Sequence, residues 1–147
     1  AEAVRALRRT LLLGLGFTLV ACLAVLAFRR PVLALYASPD LADPAAFQSL
    51  GTTLLLLMSA WMLFDAADII LSGALKGAGD TKFVMGWMLL NAFFLWLPLV
   101  FLVRWLHNTM PALWGTMIAY VVVISIGSAV RWRRGRWRQI QVVDFRT

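Results

Sequence analysis

Two carboxylates interrupt one of the most apolar runs of this chain. In WMLFDAADIILSGALKGAGDTKF, Asp65 and Asp68 stand among aliphatic and aromatic residues, and a glycine-rich turn flanked by Lys76 and Lys82 follows. Residues three apart share a helix face. A carboxylate at mid-span costs about 2.5–3.5 kcal/mol on insertion scales, and it persists only where it faces protein or water, or is protonated. Two on one face repel when both are ionised. The pair is therefore expected to hold a proton or a cation such as Na⁺. A site that takes up such an ion, and releases it when its surroundings change, meets the physical requirement for coupling an ion gradient to motion. The alternative is a structural polar contact, with Asp65 bonded to a neighbouring helix and Asp68 near enough to the surface to be wet.

Other polar side chains reach a similar depth. A helix rises about 1.5 Å per residue, which puts Asp65, eleven residues before Lys76, roughly 16 Å inside. Asn91 is nine residues past Lys82, roughly 14 Å in, and Tyr120 is eleven before Arg131, again roughly 16 Å. Thr18 is nine residues past Arg9. If the helices bundle, Asn91, Tyr120 and Thr18 could line one polar pocket with the aspartates. Taken alone, each reads more simply as a satisfied interhelical hydrogen bond.

Enzyme signatures are missing. The one histidine, His107, lies between apolar runs without zinc-like partners. There is no GxSxG and no GxxxxGK[ST]. The GAGD tetrapeptide superficially suggests a phosphate loop, but it joins two apolar helices rather than following a strand. No nucleophile is paired with a base, so the chain is expected not to be an enzyme and to need no cofactor beyond a transported H⁺ or Na⁺.

The elements that must position these residues follow from hydropathy. The chain has 147 residues, 62% hydrophobic and only 14% charged, against about 45–50% and about 25% in soluble domains. A soluble fold of this size could not hide so much apolar surface. A membrane-spanning helix needs about 20 apolar residues, and four segments qualify: about 10–28, 47–75, 83–103 and 112–130. The fold class is therefore an all-α membrane protein. The first segment is not read as a signal peptide, because its apolar run is too long and three more follow. Pro98, inside the third, is expected to kink it and free a carbonyl. Gly73 and Gly77 give a GxxxG spacing, and Gly14, Gly16, Gly115 and Gly127 offer small surfaces for helix contact. The lone Cys22 cannot form an internal disulfide and reads as a small buried filler.

Charge orients the spans. The net charge is +7. With four spans, Arg5, Arg8, Arg9, Lys76, Lys82, Arg131, Arg133, Arg134, Arg136, Arg138 and Arg146 share one face, while Arg29, Arg30 and Arg104 occupy the other with Asp40 and Asp43. The basic face is expected to be cytoplasmic, so both chain ends and the glycine turn lie inside. The tail at 131–147, with its alternating Arg and Trp in RWRRGRWRQ, could stack nucleic-acid bases. Directly after a membrane helix, it reads better as an anchor on anionic lipid. Membrane lipid is thus an expected partner and nucleic acid is not. In the turn, Gly77 and Gly79 are expected to let the chain reverse tightly, with Asp80 capping the following helix.

The stretch FDAADIILSGALKGAGDTKFVM resembles the multidrug and toxic compound extrusion (MATE) family of cation-coupled antiporters. Phe64-Asp65-Ala66 matches the aspartate context of the family's tenth helix, and Gly73 to Thr81 matches the turn after it, with Lys76 where Arg is commoner. WLPL at 96–99 resembles the eleventh helix. WGTMIAY at 114–120 and RWRRGRW at 131–137 resemble the twelfth and its exit, and AVRALRRTLLLGL resembles the start of the ninth. The resemblance implies helices nine to twelve of a twelve-helix, two-lobe transporter, the C-terminal half of its second lobe. It implies export of drugs or toxic, typically cationic, organic compounds across a plasma membrane, the inner membrane in a bacterium. It also implies that Asp65 is a cation or substrate acid. Asp68 stands where the family often has a neutral residue. The chain starts Ala1-Glu2 rather than with Met and is expected to be part of a longer protein. The missing N-terminal helices would be its partners, and without an opposing lobe it would not transport. A lipid-linked oligosaccharide flippase of the same superfamily would want basic residues in its cavity, which are missing here. A non-transporting membrane scaffold subunit would not need Asp65.

Overall fold

The computed structural model describes residues 2–37, 43–135 and 137, and no strand occurs among them. Helix α1 spans Glu2–Ala27, and a short helix α2 spans Arg29–Tyr36. Helix α3 spans Pro44–Gly77 and α4 spans Thr81–Asn91. A π-helical turn at Ala92–Trp96 leads into α5 at Leu97–Leu106, and α6 spans Met110–Arg133. Among the described residues, four stretches are long and apolar enough to cross a membrane: Glu2–Ala27, Pro44–Gly77, Thr81–Leu106 and Met110–Arg133. The four expected spans are all present, each longer than hydropathy alone marked. Asp40, Arg136, Arg138 and Arg146 lie outside the described residues.

The extra length has local causes. Arginine is a good helix former, so α1 continues outward through Arg9, Arg8 and Arg5. Helix α3 starts at Pro44 because Asp43 caps it: the Ala46 N–H donates to Asp43 Oδ1 at 2.9 Å, and proline's missing N–H costs nothing at the first position. At 34 residues, α3 is about 51 Å long. That exceeds the roughly 30 Å hydrocarbon core, so α3 must tilt or protrude.

Two packing relations set the bundle. Helix α3 lies centrally, against α1 on one side and α6 on the other. The span formed by α4, the π turn and α5 packs against α6. A groove lined by Ala3, Leu7, Ile70, Gly77 and Trp132 brings the start of α1 together with the ends of α3 and α6. The basic ends of the helices therefore do converge on one side of the bundle. The outward surface is strongly apolar, with Phe17 78% and Phe94 80% exposed, as a surface solvated by lipid or by further helices requires.

The turn at Gly79 is a Schellman motif. The Asp80 N–H donates to the Leu75 carbonyl and the Gly79 N–H to the Lys76 carbonyl, both at 2.9 Å. Gly79 takes φ +85°, which a side chain would oppose. Gly77 is the last helical residue and needs no such freedom, contrary to expectation. Asp80 also departs from the sequence expectation. Its side chain does not cap α4 but receives two bonds from Arg131, from Nε at 2.7 Å and Nη2 at 3.2 Å. A bidentate, charge-assisted pair outcompetes a neutral backbone donor. Arg131 also lies 4.6 Å over the Phe83 ring, and Phe83 stacks on Trp87.

Glycine contacts are selective. A Cβ on Gly14 would sit 2.6 Å from Ile70 Cδ1, and one on Gly127 would run into the Trp87 indole. Gly16, Gly73, Gly77 and Gly115 face open space, so the GxxxG pair does not mediate close helix packing here. Trp87 seats its ring on Gly127 and donates Nε1–H to the Ile124 carbonyl at 3.3 Å. Gly127→Ala should displace a rigid ring and cost about 1–3 kcal/mol. Thermal unfolding in detergent checks this, with Gly115→Ala as the near-neutral control.

The expected disturbance at Pro98 takes a definite form. Proline has no N–H for the carbonyl four residues back, and the chain widens into the π turn just before it. The Leu97 N–H reaches back five residues to the Ala92 carbonyl. π-Bulges of this kind often accompany functional sites.

Candidate functional site

The aspartates lie on a stripe of α3 formed by positions 61, 65, 68 and 72. Residues spaced by three and four share a helix face. Trp61 makes an edge contact with Trp114 of α6, with ring centroids 6.4 Å apart. Asp68 accepts a bond from Ser128 Oγ of α6 at 2.9 Å. Asp65 falls between these two contacts. It is half-buried, and among the described residues it has no hydrogen bond and no ion pair. Its depth along α3, eleven residues from Lys76, is roughly 16 Å, near the middle of a 30 Å core.

Asp68 is in a different situation. It is 5% exposed, and the serine hydroxyl occupies one of its oxygens. It lies within electrostatic range of Asp65 and Lys76, and of the Tyr120 phenol on α6. A buried carboxylate with one dedicated donor is a structural tie between α3 and α6 as well as a charge. Removing the donor should leave an acceptor unsatisfied at about 1–3 kcal/mol. Ser128→Ala is thus expected to lower thermal stability in detergent, and the double variant with Asp68→Ala should cost less than the two single variants added together.

The other predicted site residues separate. Tyr120 packs its ring against Trp96 of the π turn, with centroids 6.1 Å apart. Trp96 Nε1 is a buried donor with no hydrogen-bond partner among the described residues. The Tyr120–Trp96 contact links the two-aspartate face of α3 to the irregular backbone of the third span. Asn91 is buried, but its amide donates to the Trp87 carbonyl of its own helix at 2.8 Å. Thr18 likewise bonds back to Gly14 at 2.9 Å. No bond joins Asn91 or Thr18 to the aspartates, so the single polar pocket expected from depth does not assemble from all of them. Asp68 lies within electrostatic range of both Asp65 and Tyr120; Asn91 and Thr18 satisfy themselves locally.

Ser128 and Trp96 were missed by the sequence reading. Ser128 has a weak signal, since Ser125 and Ser128 are small polar residues three apart, near the end of an apolar helix. Trp96 has none beyond its neighbour Pro98. Cys22 is buried as expected and points its thiol at the Ser59 carbonyl.

Chemically, this face offers two carboxylates, a phenol and a serine hydroxyl, with the Trp96 ring against the phenol. An oxygen-only set suits a proton or a hard cation. Among the described residues no group of three or more His, Cys, Asp or Glu could hold a metal ion.

Comparison with known proteins gives the same direction. A multidrug resistance protein MdtK from Edwardsiella ictaluri is 25% identical over 144 residues, 95% of this chain and 30% of that protein. A probable multidrug resistance protein NorM from Chromobacterium violaceum is 42% identical over 67 residues, 46% of this chain and 13% of that protein. The chain thus spans less than a third of the length of these curated relatives. No solved structure matches. The MatE family model matches residues 1–102, from α1 into α5 and including both aspartates and the glycine turn. Four apolar membrane-length helices, one carrying the buried Asp68, together with that match over most of the chain, place this protein in the MatE family.

Proposed function

We propose that this chain supplies helices nine to twelve, the C-terminal half of the second lobe, of a cation-coupled exporter of small, typically cationic, organic compounds. The observation that carries the reading is Asp65: a carboxylate at mid-span, on the α3 stripe that meets α6 at Trp61 and Asp68, with no hydrogen bond or ion pair among the described residues. Ionised, it attracts an organic cation. When a proton or Na⁺ arrives from the other side, it takes the same charge, and the organic cation leaves. Both ligands compete for one negative group, which is the simplest exchange mechanism. Asp68 is tied to Ser128 and adds negative potential while holding the helices in register. Tyr120 and the Trp96 ring against it provide an aromatic wall, and an aromatic face attracts organic cations.

The convergence of basic residues at one end of the bundle supports a cytoplasmic location for the chain ends and the Gly79 turn. The remaining helices, which the relatives' greater length suggests, would form the opposing walls of the cavity. Alternating access then needs the movement of one lobe against the other.

The test uses the full-length protein in sealed vesicles loaded with a fluorescent organic cation. Imposing an inward pH or Na⁺ gradient should drive the dye out, and one of the two gradients should suffice. Dye movement indifferent to both gradients would refute coupling. Movement of a lipid-linked sugar in its place would favour a flippase.

A further inference from the structure

A second groove lies away from the aspartates. Its walls are Phe83 and Trp87 of α4 and Val123, Ile126 and Val130 of α6, and its volume is about 610 Å³. Ile126 is 57% exposed although it sits in a membrane-length helix. One end is basic: Arg134 lines it, and its guanidinium, among the described residues, makes no ion pair or hydrogen bond. Arg131, also at that end, is spent on Asp80. Lys82 and Arg133, both exposed, add positive charge at the same level.

The groove's dimensions and charge identify an occupant. From Val123 to Arg134 is eleven residues, about 16 Å of helix. That is close to half of the roughly 30 Å hydrocarbon core, the depth of one leaflet. An apolar channel one leaflet deep, with a guanidinium at its mouth that is unpartnered among the described residues, matches one acyl chain below a phosphate. Guanidinium is the side chain best suited to phosphate oxygens, and clustered basic residues at this level attract anionic lipid. We infer that this groove binds an anionic phospholipid, its acyl chain between α4 and α6 and its phosphate on Arg134.

Because Gly127 seats Trp87 beneath the groove and Phe83 carries the Arg131 guanidinium, the bound lipid would brace the contact between the third and fourth spans. Asp65 takes no part in it.

Native mass spectrometry of the full-length protein in detergent, with added phosphatidylglycerol or phosphatidylcholine, tests the site. The wild type should retain phosphatidylglycerol in preference to phosphatidylcholine. Arg134→Gln should weaken retention about tenfold or more, the value of one charge-assisted bond. Arg134→Lys should restore part of it, and Ile126→Trp, which fills the channel, should abolish it. Arg134 is exposed, so its substitution is not expected to unfold the protein and decides the matter even if Ile126→Trp misfolds. Equal retention of phosphatidylglycerol by wild type and Arg134→Gln, or of the two lipids by the wild type, would overturn the inference. So would efficient crosslinking of Ile126→Cys to another helix of the same protein, which would mean that protein covers the groove.

Discussion

Asp65→Asn in the full-length transporter should cut efflux of organic cations by about 10- to 100-fold, the range of an ordinary coupling free energy between two ligands, without lowering the amount of protein in the membrane. Asparagine keeps the size of the side chain and its hydrogen-bonding capacity but cannot carry the charge for which, in the proposed mechanism, the two ligands compete. Folding should not suffer. Asp65 holds no partner among the described residues, so the change breaks no bond, and it removes the cost of placing a carboxylate at mid-span. Drug accumulation in cells lacking other exporters, paired with an immunoblot of the membranes, separates lost activity from lost protein. Asp68→Asn provides the contrast. An amide oxygen can still accept from Ser128, so the tie between α3 and α6 survives and efflux should fall less. A non-transporting scaffold, by comparison, would be indifferent at Asp65 even to leucine.

The largest effect on stability is expected at the Asp80–Arg131 pair. Asp80 has a side chain only 6% exposed and Arg131 one 21% exposed, 2.7 Å apart at the closest atoms. Removing one partner of a buried pair strands the other, at about 3–5 kcal/mol; the partial exposure of Arg131 argues for the lower end. Arg131→Ala should therefore cost about 3 kcal/mol, Asp80→Ala somewhat less because the freed guanidinium can reach water, and the double variant less than the sum. The cation–π contact with Phe83 is lost with Arg131 in either case. A double-mutant cycle by thermal unfolding in detergent measures the coupling directly. Strict additivity would mean that the pair does not hold the Gly79 turn to α6.

The spans and the pairing of their basic ends were legible in the sequence because both follow from solvation. Uncharged runs of twenty residues and the imbalance of Lys and Arg depend on no partner. The short helix α2 was not legible: RRPVLALY is eight residues with two charges and a proline, too short for a hydropathy signal. Its Leu33 is buried against the bare backbone of Gly51, a contact that depends on tertiary packing. Asp80 shows the limit of local rules, since its position favours a cap but an arginine fifty-one residues later claims the carboxylate. Asn91 shows the limit of depth as a guide. It lies at the right level, yet bonds within its own helix, and rotation about the helix axis is what a residue count cannot supply. The depth of Asp65 follows from its distance to Lys76 along the helix, whereas its place between the two α6 contacts made by Trp61 and Asp68 needed the packed structure. The part played by Trp96 depends on a π turn, whose only trace in the sequence is Pro98.

Ion release on substrate binding tests the central claim most directly. Purified full-length protein, equilibrated with radiolabelled Na⁺ or held in weak buffer with a pH indicator, is mixed with an organic cation chosen by the vesicle efflux assay. The wild type should release Na⁺ or protons as the organic cation binds, and Asp65→Asn should release none while remaining folded. Equal release from both proteins would contradict the account.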